Sequence, residues 1–574
     1  MEAVERTFSS WDGTELFYRA WLPNEEKTGK ALLLFHRGHE HSGRWTETVD
    51  SLGLDEIAVF AWDARGHGRS PGERGAARDL SDLIKDVDAF VRHVAERYTI
   101  ALENMIVLAH SLAAVTVTAW VHDHAPPIRA LILATAAFEV KLYVPLALPA
   151  LRLQQKLFGS GKVTSYVRPT MLTHDAVEAA RYEGDPLIFR QIAINVLLDL
   201  HDTAQRLLAD AGAIQLPVLM LAAGRDWVVS LKAQREFFNG LSSPLKRMHV
   251  FPAMYHALFH ESDRAQVIAR VRAFIDERFA ERPSTISLRD ADKYGHTWEE
   301  HERLKLRGSP HFAALRAAVK IGGRLSTGIG LGWKSGFDSG RSLDYVYENR
   351  PRGSSRLGRF VDANYLNSVG WRGIRQRKAN LEIALREVIG KLKEDGKPVR
   401  ILDVAAGAGR YVLETMRALA GESISAILCD NQEENVAAAR ALADEFGLPD
   451  VTVRRGDAFD RAAVAALAPR ATIGIVSGLY ELFPANDVVL ESLGGLAGAI
   501  EPGGYLIYTN QPWHPQLEFI ARVLRNREGK RWIMRRRTTA EIDELVRLAG
   551  FEKYAMEIDR WGMFTVSIAR RADS

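Results

Sequence analysis

One cysteine, Cys429, stands in a chain of 574 residues, so no disulfide can close within it and nothing in it calls for an oxidising compartment. An excess of either charge is also missing. The 75 Lys and Arg against 72 Asp and Glu leave a net charge of +3, which excludes a chain built wholly to bind polyanions. No apolar run reaches the ~20 residues of a membrane-spanning helix. The most apolar long stretch, "LILATAAFEVKLYVPLALPALRL", is broken by Glu139 and Lys141. The opening residues, "MEAVERTFSSWDG", carry neither the basic nor the apolar part of a signal peptide, so a cytoplasmic protein is expected. No set of His, Cys, Asp and Glu recurs at metal-ligand spacing, and no metal is expected.

What is present is enough apolar sequence for large cores: 47% of the residues are hydrophobic. At ~100–250 residues per domain the length predicts two or more domains. Short apolar runs alternate with helical patterns in two separate series, the pattern of mainly parallel sheets covered by helices. The first series covers 1–282 and includes "ALLLFH" (31–36), "IAVFAWD" (57–63), "MIVLAHS" (105–111), "IRALILAT" (128–135), "LPVLMLAAG" (216–224) and "LKRMHVFP" (245–252). Between about 136 and 211 the rhythm stops, and a leucine-rich helical insertion is expected to cap the sheet. The polar stretch "ERPSTISLRD" (281–290) predicts a boundary. A glycine-rich, then basic segment (283–395) reads as linker and extension. The second series, 396–574, opens at "VRILDVAAGAGR" and closes on an antiparallel pair, "FEKYAMEID" and "GMFTVSIARR".

The first series carries a candidate nucleophile. "VLAHSLAAV" (107–115) places Ser111 between a strand and a helix, the outline of a G-x-S-x-G elbow with alanines, Ala109 and Ala113, for both glycines. A serine needs a base, a group to orient that base, and donors for the developing oxyanion. Asp226 follows one later strand and His256 another, in the order Ser, Asp, His. His260, one helical turn from His256, is the rival base.

These loops resemble the monoglyceride lipase and lysophospholipase branch of the α/β-hydrolases, also described as serine aminopeptidase-like. The matching stretches are "HRGHEHSGRW" (36–45), "DARGHGRSPGERG" (63–75), "AHSLAA" (109–114), "GRDWVV" (224–229) and "YHALFHE" (255–261), with "LTHDAVEAARYEGDPLI" (172–188) like that branch's cap. The resemblance implies Ser111 as nucleophile, His256 as base and Asp226 as its orienter. It implies the amides of Gly38 and Leu112 as oxyanion donors, and a structural role for "DARGHG". Arg37 stands where the family commonly has glycine; a cation there either reshapes the loop or meets an anionic head group.

In the second series "ILDVAAGAGRY" (401–411) is a strand, a Gly-rich turn and a helix. By itself this suits a dinucleotide fold or a tight turn, although the third glycine of G-x-G-x-x-G is missing. Asp430 ends the next strand, where an acid can accept from ribose hydroxyls, and "GDAFD" (456–460) ends the third. With the antiparallel closing pair, this half resembles class I S-adenosylmethionine-dependent methyltransferases, and in particular a bacterial putative-methyltransferase family found fused behind such a hydrolase. The resemblance implies S-adenosylmethionine as cofactor. Asp403, Gly407 and Gly409 would form the methionine-end loop, Asp430 would hold the ribose, and Asp457 with Ala458 would flank the adenine. "SGLYELFP" (477–484) offers Tyr480 and Glu481 on the acceptor side, and "NQPWHPQ" (510–516) reads as a structural loop.

Two segments, 350–378 and 522–537, each hold eight basic residues and one acid. They suit a solvated surface or contact with an anionic partner, with a membrane surface expected before nucleic acid. The whole reads as a bifunctional α/β enzyme, an ester hydrolase acting on a monoacylglycerol- or lysophospholipid-like ester joined to a methyltransferase. The alternative is a catalytically inactive hydrolase module that scaffolds or regulates the methyltransferase.

Overall fold

The computed structural model describes residues 2–23, 29–159, 161–283, 286–306 and 308–573. It divides into two compact units, Met1–Ile286 and Ser287–Ser574. The predicted boundary stretch includes Ser284 and Thr285, which lie outside the described residues. Among the described residues no helix is long and apolar enough to cross a membrane.

In chain order unit 1 has strands β1 (Ala3–Ser9), β2 (Glu15–Trp21), β3 (Ala31–Phe35), β4 (Ala58–Trp62), β5 (Met105–His110), β6 (Ala130–Ala134), β7 (Lys162–Thr164), β8 (Gln191–Ala193), β9 (Val218–Ala223) and β10 (Lys246–Phe251). Eight of them form one sheet in the order β1-β2-β4-β3-β5-β6-β9-β10. The pairs from β4 to β10 are parallel; β1–β2 and β2–β4 are antiparallel. Every residue of β3, β4, β5, β6 and β9 is buried, because helices cover both faces of the sheet, and the apolar runs in the sequence are therefore continuous rather than alternating. Two hydrophobic clusters, one on each face, share these strands residue by residue: Leu33 and Val107 lie in one, Leu32 and Ile106 in the other. Between β6 and β9 the insertion contains helices Ala147–Phe158, Ala176–Gly184 and Ile194–Ala209, and also the small antiparallel pair β7–β8.

Unit 2 has a seven-stranded sheet from β11 (Val399–Val404), β12 (Ile424–Asp430), β13 (Val451–Arg455), β14 (Ala471–Val476), β15 (Ile500–Asn510), β16 (Phe551–Ile558) and β17 (Thr565–Arg571). Its order is β13-β12-β11-β14-β15-β17-β16, parallel except for β17, which runs antiparallel to β15 and β16. The order reverses between β11 and β14, and ligands of such sheets bind outside the strand carboxyl ends at that point. The span read as linker and extension is helical: among its described residues six helices run from His296–Lys305 to Val369–Glu394. Some of its glycines are packing positions. A Cβ on Gly328 would stand 2.7 Å from ring atoms of both Tyr345 and Tyr365, and one on Gly332 would run into Phe337.

Candidate active sites

In unit 1 the tight junction between β5 and helix Leu112–His124 holds Ser111 at φ 58°, ψ −115°, left-handed backbone that a residue with a side chain adopts only where its surroundings enforce it. The Ser111 amide donates to the Ala134 carbonyl (2.9 Å), and the Ser111 carbonyl accepts from Ala114 and Ala137. Ala109 and Ala113 both lie outside the left-handed region, so neither position demands glycine for its backbone.

The side chains of three distant strand ends meet here. Ser111 Oγ and His256 Nε2 are 2.8 Å apart, and His256 Nδ1 and Asp226 Oδ2 are 2.8 Å apart. Asp226 Oδ1 accepts from the amides of Val228 (2.7 Å) and Val229 (2.9 Å), which fixes the carboxylate. Burial works to raise the Asp226 pKa, but the charge and hydrogen bond of His256 and the two amides outweigh it, and the pKa is lowered. The backbone of His256 is held as well: its carbonyl accepts from His110 Nε2 and Thr135 Oγ1, each at 3.1 Å. His260 points elsewhere, 3.1 Å from the Arg44 carbonyl, and burial drops its pKa to about 4.

The loop expected to supply an oxyanion donor is aimed by His36. Its Nε2 accepts from the Ala64 amide (3.0 Å), so its Nδ1 carries the hydrogen and donates to the Arg37 carbonyl (2.7 Å). A trans peptide directs its N–H opposite its C=O, so the Gly38 amide faces away from His36. A Cβ on Gly38 would lie 3.7 Å from the Leu112 side chain, and both residues border one cavity with Ser111 and His256. Arg37 is 4% exposed. Its guanidinium meets Glu40 at 2.7 Å and lies over the Tyr182 ring, so its charge is balanced inside the protein. "DARGHG" is structural: Asp63 accepts from the amides of Ser42 (2.6 Å) and Arg69 (2.7 Å), and Arg65 pairs with Asp86 and Asp12.

The cavity, about 400 Å³, is walled by Leu142, Val144, Ala147 and Leu151 from the first part of the insertion and Leu197 and Leu200 from its last helix. A nucleophile, base and oxyanion donors at the mouth of an apolar cavity can cleave an ester with a hydrocarbon arm.

In unit 2 the turn after β11 carries Ala405, Gly407 and Gly409 at φ 60°, 58° and 63°. A Cβ on Gly409 would stand 2.5 Å from Leu428 on β12, so helix Arg410–Ala418 reaches the sheet only over glycine. Asp430 ties the turn to the end of β12: its Oδ2 accepts from the Gly407 amide (2.9 Å), its Oδ1 from the Gln432 amide (2.9 Å) and Asn435 Nδ2 (3.0 Å). Gly407, Gly409, Asp430, Asp457 and Ala458 all border a cavity of about 1050 Å³, with the paired rings of Phe459 and Phe483 beside them.

Two expected residues stand elsewhere. Asp403 is fully buried beneath the turn, outside the cavity wall; it accepts from the Tyr411 hydroxyl at 2.6 Å, and its Oδ1 has no partner. Burial, with the nearby charge of Asp430, pushes its pKa up to about 8. Tyr480 turns into the core, its hydroxyl donating to Ser492, because the 3-10 turn Tyr480–Leu482 sends neighbours to opposite sides; Glu481 does border the cavity. The cavity is also bordered by Arg377, from the long helix before β11 and the basic segment 350–378, and by Gln511 and His514 from the loop read as structural. No motif marks Arg377, and the two loop residues come together with it only through the order of the strands. The basic segment 522–537 hides much of its charge: Arg535, Arg536 and Arg537 are each 1% exposed, and Arg535 pairs with Glu541 and Arg536 with Glu300.

The two units thus define an α/β-hydrolase fold with a Ser–His–Asp site and a Rossmann-like sheet of methyltransferase order with a cavity at its switch point. The chain belongs to the family described as "putative methyltransferase", whose model matches residues 271–571. The family model of the serine aminopeptidase, S33, matches residues 26–263. The uncharacterized protein YnbC of Escherichia coli (strain K12) is 48% identical over 582 residues, covering 99% of this chain and 99% of its own. A monoacylglycerol lipase of Mycolicibacterium smegmatis is 25% identical over 47% of this chain and 96% of its own length. Among solved structures, the monoacylglycerol lipase of Paleococcus ferrophilus is similar to 48% of this chain and 100% of its own, at 21% identity and a TM-score of 0.41.

Proposed function

We propose that unit 1 is a serine hydrolase of monoacylglycerol- or lysophospholipid-like esters and that unit 2 is an S-adenosylmethionine-dependent methyltransferase. The observation that carries the first half is the unbroken Ser111–His256–Asp226 line opening into an apolar cavity. The similar mycobacterial protein named a monoacylglycerol lipase supports the substrate class. Ser111 Oγ attacks the ester carbonyl while His256 Nε2 takes its proton, and Asp226 steadies the imidazolium that forms. The amides of Gly38 and Leu112 hold the oxyanion. His256 then protonates the leaving alcohol, and water, activated by the same histidine, releases the acid. The apolar residues of 142–151 that border the cavity suit an acyl chain.

In unit 2 the donor set fits an adenosyl cofactor. Asp430 and Asp457 supply carboxylates for ribose hydroxyls and an adenine amino group, and the left-handed turn at 405–409 leaves room for close approach, since a Cβ on Gly407 would meet open space. S-adenosylmethionine, when bound, supplies a methyl group already activated as an electrophile. The chain holds the two partners in line and keeps water out.

A fluorophosphonate probe tests the first half: labelling of the wild type that disappears in Ser111→Ala supports it, and an unlabelled wild type favours the inactive-scaffold alternative. Calorimetric titration with S-adenosylmethionine tests the second half; no binding, or binding unchanged in Asp430→Ala, sinks it. Peripheral contact with an anionic cytoplasmic membrane surface is part of the same reading. Exposed Arg350, Arg356 and Arg359 flank exposed Leu357 and Phe360, which supports it. Salt-sensitive binding to anionic vesicles is expected; equal binding to neutral vesicles counts against it.

A further inference from the structure

The cavity of unit 2 is larger than its cofactor end. Away from Asp430 and Asp457 one stretch of its wall is apolar and aromatic, formed by Trp371, Phe519, Ile520, Trp532, Met534 and Phe564, while charged residues including Asp338, Asp344 and Arg527 border the cavity elsewhere. The stacked pair Trp371 and Trp532, with ring centroids 6.4 Å apart, belongs to this wall. Within it lie three polar side chains, each buried by more than nine-tenths: Arg377, Gln511 and His514.

All three present donors. Arg377 lies over the Phe564 ring at 5.2 Å, its nearest carboxylate oxygen is Glu481 Oε1 at 3.6 Å, and its Nε–H has no partner. The Gln511 Nε2 has none either. His514 packs against the same Phe564 ring, and its Nδ1 accepts the Gln516 amide at 3.0 Å. The hydrogen of the neutral ring is therefore on Nε2. Burial lowers the His514 pKa to about 4, so the ring stays neutral and donating at physiological pH. With its one lone pair engaged, it has no means of taking a proton from a substrate. Among the described residues Glu481 is the one carboxylate paired with this cluster, and its partner is Arg377. The buried atoms of the cluster without a partner, Arg377 Nε and Gln511 Nε2, are donors, and they call for a ligand that brings acceptor oxygens.

We propose that this part of the cavity binds the methyl acceptor as a long-chain carboxylate, its oxygens on Arg377, Gln511 and His514 and its hydrocarbon along the aromatic wall. The proposal rests on reading unit 2 as a methyltransferase. A carboxylate is already a nucleophile, so its methylation needs no base. One carboxylate oxygen takes the methyl group: an O–CH3 bond forms, the S–CH3 bond of the sulfonium breaks, and its electron pair stays on sulfur. The negative and positive charges cancel and no proton moves. The product is a methyl ester. The reaction that supplies such an acceptor is the hydrolysis of a carboxylic ester, the chemistry proposed for unit 1.

The test is calorimetric titration of the full chain with dodecanoate, with dodecanol as the uncharged control, and separately with S-adenosylmethionine. The Arg377-dependent site is taken as the difference between wild type and Arg377→Met, so binding in the cavity of unit 1 cancels. Arg377→Met is expected to weaken dodecanoate at that site by about tenfold or more, as loss of a charge-assisted pair does, while cofactor affinity stays within about twofold. Gln511→Leu, which leaves every charge in place, is expected to weaken dodecanoate by a few-fold and serves if Arg377→Met does not fold. Identical dodecanoate isotherms in wild type and variants overturn the proposal. So does dodecanol binding at that site as tightly as dodecanoate. A loss of cofactor affinity in Arg377→Met with dodecanoate unaffected also overturns it, since the cluster then holds the cofactor's own carboxylate. Absence of cofactor binding in the wild type is a separate result and strikes the methyltransferase reading alone.

Discussion

Asp226 and His256 face each other at 2.8 Å, and the carboxylate reaches that position already held by two backbone amides. The pair does two things for Ser111. It fixes the hydrogen on His256 Nδ1, leaving Nε2 to accept, and it places a negative charge beside the imidazolium that forms on attack. Asp226→Asn keeps the shape but offers an amide in place of the charge and favours the wrong tautomer. The kcat of ester hydrolysis is expected to fall by roughly 10³–10⁴-fold with KM little changed, measured on a short-chain monoacylglycerol. A fall of only a few-fold shows that His256 is oriented by something else.

The alanines of the elbow give a second prediction. Both lie outside left-handed backbone, and Ala109 is paired in the middle of the sheet with Leu133 and Phe35. Ala109→Gly with Ala113→Gly therefore removes two methyl groups without relieving backbone strain. Acylation by a fluorophosphonate is expected to stay within a few-fold of wild type. Stability is expected to drop by roughly 1–2 kcal/mol, the cost of two glycines inside a strand and a helix. A large gain in acylation rate shows that the methyl groups crowd the turn.

The triad was legible in the sequence because each member stands at the end of an apolar run, and the order of the runs is fixed by the chain. The antiparallel strand β1 was not, since most of its residues face solvent and leave no apolar run. The "RRR" of 535–537 reads as surface, yet it precedes helix Thr539–Leu548, whose Glu541 receives Arg535 in the interior. A charge run says nothing about burial until its counter-charges are placed. Arg377 stands out in the sequence only as one of the eight basic residues of 350–378: what sets it apart is a helix that brings it to the cavity, not any neighbour in sequence.

The glycine-rich sequence of 321–340 lies in the span that reads as linker and extension, and the helices there show what the glycines do. At Gly328 two tyrosine rings close on the helix. Gly328→Ala is expected to cost about 1–3 kcal/mol, because a methyl group must push packed rings apart. Gly390, inside helix Val369–Glu394, has nothing within 4 Å of a built Cβ. Gly390→Ala is expected to stabilise by up to about 1 kcal/mol through helix propensity alone. Urea unfolding of the two variants checks the pair, and equal effects refute the packing account.

The buried carboxyl of Asp403 makes unit 2 sensitive to pH in a direction opposite to that of a salt-bridged acid. Its pKa is about 8 in the folded chain against an ordinary value of 3.8. Below the ordinary value the group is protonated in both states, and its full contribution to stability is present. Between about pH 4 and pH 8 the unfolded chain releases the proton while the folded chain keeps it, so the unfolded state binds fewer protons and stability falls as pH rises. Asp403→Asn retains an acceptor for the Tyr411 hydroxyl but has no proton to lose. Unfolding measured from pH 5 to pH 8 is expected to show unit 2 losing stability in the wild type and losing less of it in the variant. Parallel curves mean that Asp403 is ionised in the folded protein, its unpartnered oxygen then carrying a buried charge that the fold must balance in some other way.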